Sequence, residues 1–445
     1  MRRGATDAVM VSRGDAKTRR ACLKGRGSFF ATRQIPRVPW TNVKQHSMKL
    51  EDACILIADC PHSTAPDEGV GYPLVRTPNV GNGRLVFEKM HRVSRHVYEL
   101  RNKRAKPQAG DLIYAREAPA GNVALITEGQ EVCLGQRTVL LRPNPKIADS
   151  AFLTYFLLAP EQKHRLLGTA TGATVTHVNI PVIRSLEISL PPLPVQRRIA
   201  DILSTYDDLI ENNRRRIAIL EETARLAYRK WFGGEVGRKA TLGKVSDFFD
   251  ISIGRTPPRK SEECFSHDLS DVKWLSIKDM KAGRVFAFDS SERLTGLGVE
   301  KTKIHVSPPG TIFLSFKLTV GVVVIAGDYM ATNEAIAHFE TNDRALRDYT
   351  YFYLSLFQYD KLGSTSAIAK AINSDIVRKM DFVLPDRATL DGYEKEVAPM
   401  FDQIENLTKQ SAALAAARDM LLPRLMKDKS NYKAICFKNR RLYND

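Results

Sequence analysis

The stretch that decides the fold is LPPLPVQRRIADILSTYDDLIENNRRRIAILEETARLAYRKWFGG, which occupies residues 190–234. Three prolines stand near its start, Gly233 and Gly234 stand at its end, and neither residue type occurs between them. Proline is accepted in the first turn of a helix and glycine commonly follows the last turn, so the stretch predicts one long helix. At about 1.5 Å per residue, the uninterrupted part spans roughly 55 Å.

The apolar residues of this helix recur at alternating steps of four and three. They are Ile199, Leu203, Tyr206, Ile210, Ile217, Leu220, Ala224, Ala227 and Trp231, with Asn213 at the one polar position. Such a heptad seam is typical of a helix that packs along its length against another helix. The alternative is a core helix of one large domain. Unbroken seams of this length are uncommon there, so we favour the coiled coil.

The partner helix lies in the same chain, because the seam returns at Tyr393, Val397, Met400, Ile404, Leu407, Ser411, Leu414, Leu421 and Leu425. The sequence DLIEN at 208–212 matches DQIEN at 402–406, and weaker matches extend upstream with offsets that change only from 194 to 200. The chain is therefore an internal duplication, in which a globular module followed by a helix occurs twice. A pseudo-twofold axis would place the helices antiparallel, with the modules at opposite ends.

Composition limits the class of protein. The chain has 445 residues, enough for two or three domains, and 43% of them are apolar. No run of eighteen apolar residues predicts a membrane span, and the polar start does not resemble a secretory signal peptide. The six cysteines form no CxxC pair and no zinc-like cluster, so we expect a cytoplasmic protein with free thiols and no metal site.

The net charge of +17 comes mainly from the two ends of the chain. Residues 1–47 contribute +9 and residues 427–445 contribute +4, which leaves +4 for the part between them. Residues 1–47 lack apolar periodicity, so we expect a disordered extension with the folded pattern beginning at Met48. We favour an upstream translation artefact as its origin; the alternative is a basic arm that contacts DNA.

The first module, residues 48–190, has a mixed α/β pattern. It predicts a helix at Phe152–Leu167 and short strands at Tyr72–Arg76, Asp111–Ala115, Val123–Thr127 and Thr138–Leu141. Seven cations lie within eighteen residues: Lys89, Arg92, Arg95, Arg101, Lys103, Arg104 and Lys106. Such a run suits contact with phosphates, and it equally suits a solvated loop.

The second module, residues 238–387, opens with IGRTPPRK at 253–260, which carries Arg255, Arg259 and Lys260. VKWLSIKDM follows at 272–280 and carries Lys278. Strands are expected at Thr311–Phe316 and Gly321–Ala326, and a helix at Asp348–Leu362. The aromatic residues near that helix have helical spacing, so we expect core packing instead of base stacking.

Several kinds of catalytic motif are missing from the sequence. It has no GxxxxGK[ST] loop for ATP and no Asn/Asp-Pro-Pro-Tyr motif of an amino-methyltransferase. The stretch nearest to an S-adenosylmethionine-binding motif is Phe232-Gly233-Gly234. It lies at a helix end, where glycine already has a structural role. No Ser, His and Asp arrangement identifies a nucleophile, so we expect no catalytic residues.

The long helix resembles the central conserved region of the specificity subunit of type I restriction-modification enzymes. Gly254-Arg255-Thr256-Pro257 and WLSIKDM at 274–280 are similar to the opening of that family's target recognition domains. TNEAI at 332–336, Leu134-Gly135-Gln136 and LLPRL at 421–425 resemble later family segments. The resemblance covers about residues 48–426. Neither end of the chain has a family counterpart, and Pro399 should kink or shorten the second helix.

The resemblance implies two α/β target recognition domains, residues 48–190 and 238–387, separated by two long antiparallel coiled-coil helices, residues 191–234 and 388–426. Each domain would recognise one half of a split double-stranded DNA target, and the helices would set the gap. Two methyltransferase subunits and two motor-nuclease (restriction) subunits would be partners. S-adenosylmethionine, ATP and Mg²⁺ would belong to those partners, and none to this chain.

Candidate site residues follow from these expectations. We expect DNA contacts from Lys89, Arg92, Arg95, Arg101, Lys103, Arg104, Arg255, Arg259, Lys260 and Lys278. The helix seam should contain Tyr206, Ile210, Asn213, Ile217, Leu220, Ile404, Leu407, Leu414 and Leu421. The alternatives are a stand-alone DNA-binding or coiled-coil scaffold protein and a fused methyltransferase or nuclease, for which the motifs are missing.

Overall fold

The structure is a computed structural model that describes residues 46–168, 177–233, 240–282, 285–362 and 372–427. The expected basic tail after Lys427, and all but the last two residues of the expected N-terminal extension, lie outside the described residues. Within the described residues, no helix is both long enough and apolar enough to span a membrane.

In the described part of the first module there are ten strands and four α-helices. The strands are β1 (His46–Lys49), β2 (Cys54–Asp59), β3 (Tyr72–Val75), β4 (Gly83–Arg84), β5 (His91–Val93), β6 (Leu112–Ala115), β7 (Val123–Leu125), β8 (Cys133–Leu134), β9 (Thr138–Pro143) and β10 (Glu187–Leu190). The helices are α1 (Arg95–Arg101), α2 (Ser150–Leu158), α3 (Pro160–Gly168) and α4 (Ile180–Arg184). A five-stranded sheet has the order β2-β9-β6-β7-β4, a three-stranded sheet has the order β5-β3-β8, and β1 pairs with β10.

The first long helix follows as α5 (Leu193–Phe232), and the second module comes after it. Its strands are β11 (Thr241–Lys244), β12 (Ile251–Ile253), β13 (Phe265–Ser266), β14 (Val272–Leu275), β15 (Phe286–Ala287), β16 (Glu292–Leu294), β17 (Ile312–Ser315), β18 (Val323–Ala326), β19 (Met330–Thr332), β20 (Ile336–Phe339) and β21 (Asp381–Leu384). The remaining helices are α6 (Val245–Phe248), α7 (Ile277–Ala282), α8 (Gly296–Thr302), α9 (Arg344–Leu356), α10 (Ser374–Arg378) and α11 (Arg387–Lys427).

The two modules share one topology. The five-stranded sheet of the second module has the order β12-β20-β17-β18-β15, which repeats the order in the first module element by element. The parallel pair β3 and β8 corresponds to β14 and β19, and the antiparallel pair β1 and β10 corresponds to β11 and β21. The predicted mixed α/β fold with internal duplication and two long helices is therefore confirmed.

Some element boundaries differ from those expected. The helical segment Phe152–Leu167 is two helices, because Pro160 begins a new one. The helix expected at Asp348–Leu362 begins four residues earlier at Arg344, where the Asp343 carboxylate accepts a hydrogen bond from the Ala345 amide, and it ends at Leu356. The first strand begins at His46, two residues before the expected start at Met48.

The two long helices, α5 and α11, pack antiparallel. Asp207 near the start of α5 pairs with Arg418 near the end of α11. At the other end, the Trp231 indole donates to the Glu396 carboxylate at 2.8 Å. The helices therefore contact each other over most of their length. At about 1.5 Å per residue, the 40 residues of α5 extend about 60 Å.

Four of the nine predicted seam residues are buried and none is fully exposed. Asn213, Ile217, Ile404 and Leu407 are buried, whereas the other five members of the set, Tyr206, Ile210, Leu220, Leu414 and Leu421, are half-buried. The half-buried members lie mainly where α5 begins and α11 ends. Leu422, outside the predicted seam, is buried there.

The sequence predicts that Pro399 kinks or shortens the second helix; the helix is not shortened, because α11 continues through Pro399 to Lys427. Val397 and Phe401, on either side of the proline, are 0% and 1% exposed. The Arg344 guanidinium of α9 donates to the Ala398 carbonyl at 2.9 Å and pairs with Asp402 at 2.8 Å. Tertiary packing on both sides of the proline therefore compensates for the missing backbone donor.

The first module attaches to the helix pair through a buried polar group. The Tyr155 hydroxyl donates to one oxygen of the Asp207 carboxylate at 2.5 Å, and Arg418 donates to the other oxygen at 2.5 Å. Burial, and then the hydrogen bond to Asp207, raise the pKa of Tyr155, which keeps its hydroxyl protonated. Gln196 of α5 also donates to the Ile147 carbonyl at 2.9 Å.

The second module attaches through aromatic packing at the other half of the helix pair. At the offset of 194, Phe401 and Ala224 take the places of Asp207 and Arg418. Phe401 contacts the ring of Tyr351 with centroids 5.9 Å apart, and Ala224 is fully buried in the same core. At these corresponding positions, the attachment is polar for the first module and apolar for the second. Each module therefore fits its own half of the helix pair better than the other half.

Replacing Asp207 with Ala should lower the free energy of unfolding by about 3 kcal/mol, because Arg418 would lose its buried counter-charge and retain only Asp419. The measurement is urea denaturation of the full chain. The matched control is Asp208→Ala, which removes an exposed carboxylate and should cost less than about 1 kcal/mol. Equal costs for the two variants would contradict the role assigned to Asp207.

Candidate nucleic-acid interface

Three separate segments of the second module meet at the end of β14. The Arg255 amide donates to the Thr332 carbonyl at 2.9 Å, and the Asn333 amide donates to the Leu275 carbonyl at 3.2 Å. The Trp274 indole donates to the Arg255 carbonyl at 3.0 Å. The segments that resemble the family's recognition domains, far apart in sequence, therefore form one local structure.

This meeting point requires glycine at position 254. A Cβ atom there would lie 2.1 Å from Thr332 Oγ1 and 2.2 Å from the Asn333 carbonyl oxygen. Both distances are below any tolerated contact, so a side chain would force the segments apart. The first module has a similar close approach, where a Cβ on Gly135 would lie 2.7 Å from the Val75 carbonyl oxygen.

Cations and an exposed loop surround this structure. Lys281 of α7 donates to the Thr319 hydroxyl at 3.0 Å, which brings α7 against the loop between β17 and β18. That loop carries Lys317, 5.5 Å above the Phe316 ring, and Leu318, whose side chain is fully exposed at a φ of 61°. An exposed apolar side chain next to a lysine is suited to contact with a base edge or sugar.

Glu334 links the loop to the IGRTPPRK segment. Burial opposes its ionisation, but a hydrogen bond from the Thr256 hydroxyl and the charges of Lys317 and Arg259 hold its pKa below the ordinary value. Because those charges act on one carboxylate, Lys317 and Arg259 lie in the same region. Glu334 remains ionised at neutral pH and fixes Thr256.

The predicted cations of the second module have different surroundings. Lys260 and Lys278 are exposed and have no ion pair among the described residues. Arg255 is exposed and donates to the Thr302 carbonyl at 3.2 Å. Arg259 pairs with Glu292 at 2.7 Å and lies 4.8 Å over the Trp274 ring, so its guanidinium is largely committed within the module.

The basic run of the first module is not a loop, because it includes β5 and α1. Lys89, Lys103 and Arg104 are exposed. Arg92 donates to the Gly71 carbonyl at 2.8 Å, and Arg95 pairs with Glu99 at 2.9 Å.

Arg101 differs from the rest of that run, because it is only 6% exposed. Its guanidinium donates to the Leu134 carbonyl at 2.7 Å and to the Ser63 carbonyl at 3.0 Å. Burial lowers the pKa of Arg101. Its donors hold two backbone segments together, so we remove Arg101 from the candidate DNA contacts.

Sequence inspection missed an ionic network in the first module. The Glu117 carboxylate contacts the His177 ring at 2.5 Å and Arg137 at 2.9 Å. The adjacent Arg116 is buried, pairs with Asp59 at 3.2 Å and donates to the Val178 carbonyl at 2.9 Å. Glu117 lies two residues after the end of β6, as Lys317 lies two residues after the end of β17. The match between Gly110 and Gly310 could have identified this position.

Comparisons with known proteins agree with this architecture. The family model for the type I restriction modification DNA specificity domain matches residues 43–222 and 239–414, one range for each module and its helix. The HindI specificity subunit of Haemophilus influenzae is 21% identical, with 71% of this chain and 86% of that protein covered. The putative MjaX specificity subunit of Methanocaldococcus jannaschii is 23% identical, with 82% and 88% covered.

Among solved structures, the S subunit of a type I restriction-modification system from M. genitalium has a similar fold, with a TM-score of 0.51 and 16% identity. The match covers 87% of this chain and 97% of that one. Together with the family match over both duplicated halves, these findings identify the chain as a member of the type I restriction-modification specificity subunit family, with two target recognition domains.

Proposed function

We propose that each module recognises one half of an asymmetric, split DNA sequence and that α5 and α11 fix the gap between the halves. One observation supports this proposal: the five-stranded sheets of the two modules have the same strand order, but the loops at corresponding positions carry different side chains. The loop after β17 presents Lys317 and Leu318, whereas the corresponding position after β6 presents Glu117 paired with Arg137. Different side chains at matching positions suit different base sequences.

DNA contacts in the second module would come from Arg255, Lys260, Lys278, Lys281 and Lys317. These side chains are exposed and lie on the IGRTPPRK segment, α7 and the β17–β18 loop. Lysine and arginine contacts to phosphate fix the position of a protein on the duplex, whereas contacts to base edges provide specificity. We assign the lysines of α7 to phosphate and the β17–β18 loop to bases.

In the first module, the corresponding set is Lys89, Arg92, Lys103, Arg104 and Arg137. Arg137 is 60% exposed although it pairs with Glu117, so it can exchange that carboxylate for a DNA acceptor. Arg95 and Arg259 remain secondary candidates because each has an ion pair within its module.

The helix pair also offers a surface for partner subunits. Leu209, Ile219 and Leu226 of α5 and Met420 of α11 are between 48% and 66% exposed. Exposed apolar residues along a helix are typical of a protein interface. We propose that two methyltransferase subunits dock here and two motor-nuclease subunits join the complex. S-adenosylmethionine, ATP and Mg²⁺ would then act in those partners, and this chain would provide specificity without catalysis.

The function is tested by mapping methylated adenines across the genome of cells with and without this gene. A split motif that disappears with the gene supports the proposal. An unchanged methylation pattern favours a stand-alone scaffold, and methyl transfer by the pure chain favours a fused methyltransferase.

Exchanging residues 238–387 for the same region of a related subunit should change one half of the methylated motif and keep the gap. The other half should remain, because the first module contacts its own half-site. The measurement is sequencing of methylated DNA from cells that carry the chimera. A change in both halves would contradict the division of recognition between the modules.

Inserting one heptad into both long helices should widen the gap while both half-sites keep their sequences. The Asp207–Arg418 and Trp231–Glu396 contacts show which residues of the two helices lie opposite each other. On that basis, an insertion point after Arg216 in α5 lies opposite one after Thr408 in α11. Seven residues add roughly 10 Å, which is about three base pairs at about 3.4 Å each. As a control, two-residue insertions at the same points should abolish methylation, because a rotation of about 200° turns the apolar seam to the opposite face of each helix.

Replacing Lys278 with Ala should weaken DNA binding by the assembled methyltransferase complex at all sequences alike. Loss of one phosphate contact reduces the slope of log affinity against log salt by about 0.9. The control is Lys146→Ala, which removes an exposed lysine of the first module outside the candidate DNA set. If both variants changed the slope equally, α7 would not be a DNA-contacting element.

A further inference from the structure

Two histidines and one glutamate meet at an edge of the second module. His305 precedes β17, His338 lies in β20, and Glu340 follows directly after β20. One ligand atom from each of the three side chains lies within 4.8 Å of the other two. His338 and Glu340 are two residues apart on an extended segment, so their side chains lie on the same face.

Hydrogen bonds fix the orientation of the His338 ring. The Thr332 hydroxyl donates to the Asn333 carbonyl, so it accepts from His338 Nε2 at 2.6 Å. The proton is therefore on Nε2, and the lone pair is on Nδ1. Nδ1 faces the hydroxyls of Ser252 at 2.9 Å and Ser307 at 3.1 Å.

The first module has an apolar cluster in the corresponding place. The same strand pairings occur in both modules, so residues of one module can be matched to residues of the other. Leu140 corresponds to His338, Ala58 to Ser252 and Leu134 to Thr332. Ala105 aligns with His305, each five residues before the matching glycine. These four residues of the first module pack in one hydrophobic cluster.

The polar character of this place is therefore specific to the second module. An apolar cluster suffices to stabilise the shared topology, as the first module demonstrates. Buried polar groups in the same position cost desolvation free energy, which must be offset by hydrogen bonds or by a ligand. Polar side chains at His338, Thr332 and Ser252 replace apolar ones inside the module, and the exposed His305 lies beside them, so this place is suited to hold a ligand.

We propose that His305, His338 and Glu340 bind one divalent transition-metal ion of the zinc class. Two imidazole nitrogens and one carboxylate oxygen are a common protein ligand set for such ions, with a fourth position left for water. Mg²⁺ and Ca²⁺ fit poorly because they prefer oxygen ligands. Thr332 would act as the outer partner that orients His338 through its second nitrogen.

The ligand atoms, which lie within 4.8 Å of one another, must shift by up to about 1.5 Å to reach a tetrahedral arrangement. The His305 Nε2 and Glu340 Oε1 atoms are 2.5 Å apart. In a tetrahedral site with bonds of about 2.0–2.1 Å, ligand atoms are about 3.3 Å apart. The two side chains are 46% and 32% exposed, so they can separate by this amount without disturbing the core.

The ion would connect the end of β20 to the segment that follows α8. Thr332, the outer partner of His338, is also the residue that closely approaches Gly254. Occupancy would therefore stiffen the base of the candidate DNA interface. The metal proposal goes beyond the proposed function and does not depend on it, because binding is measured without DNA.

The experiment uses the purified full chain after treatment with a chelator. Titration with Co²⁺ should produce the visible absorption of a tetrahedral site, saturating at one equivalent, and Zn²⁺ should displace it. His305→Ala and Glu340→Gln should each weaken binding at least tenfold, because one of three ligands is lost. Circular dichroism of both variants should match the parent, since neither side chain is in the core.

The matched control is His267→Ala, which removes an exposed histidine of the same module and should leave the titration unchanged. Excess Zn²⁺ should raise the unfolding temperature of the parent chain and of His267→Ala, but not of His305→Ala. Lack of tetrahedral Co²⁺ absorption, or equal binding by the parent and both ligand variants, would overturn the proposal.

Discussion

The structure depends on the antiparallel contact between α5 and α11. Neither helix belongs to one module alone. Ile217, Ala224 and Ala227 of α5 pack in the same core as the sheet of the second module, although the helix starts directly after the first module. Likewise, Arg418 of α11, a helix that follows the second module, pairs with Asp207 beside Tyr155 of the first module. Because the first module is attached to α5 and the second module packs on both helices, the distance between the modules follows from the geometry of the helix pair.

Duplication left the sheet order intact while the residues at corresponding positions changed. A sheet keeps its topology as long as the inward positions stay compatible with the core and the register is preserved. Loop residues carry no such constraint, and Glu117 and Lys317 therefore differ in charge at matching positions. Even core positions differ where hydrogen bonds offset the cost of burying a polar group, as for His338. One fold can in this way present two unlike surfaces to one DNA molecule.

The sequence predicted the elements whose signal is local or repeated. The heptad spacing located both long helices, and the offset of 194–200 residues anticipated the common topology of the modules. The sequence did not predict which charged side chains are buried. Arg101 lies in a run of cations and is buried only because carbonyls of Leu134 and Ser63 lie near it in the fold. Asp207 is adjacent to the exposed Asp208, and periodicity alone does not distinguish a buried ion pair from a surface carboxylate.

The distribution of charge constrains how this chain contributes to DNA binding. The part between the two basic ends carries only +4, and Arg95 and Arg259 are already paired with glutamates. The low net charge of this part gives little long-range attraction to DNA, so binding depends on the exposed cations that each module presents locally. Specificity does not require more, because base contacts discriminate while phosphate contacts position. A chain with this balance is suited to select a sequence within a larger complex whose other subunits supply the remaining contacts to the duplex.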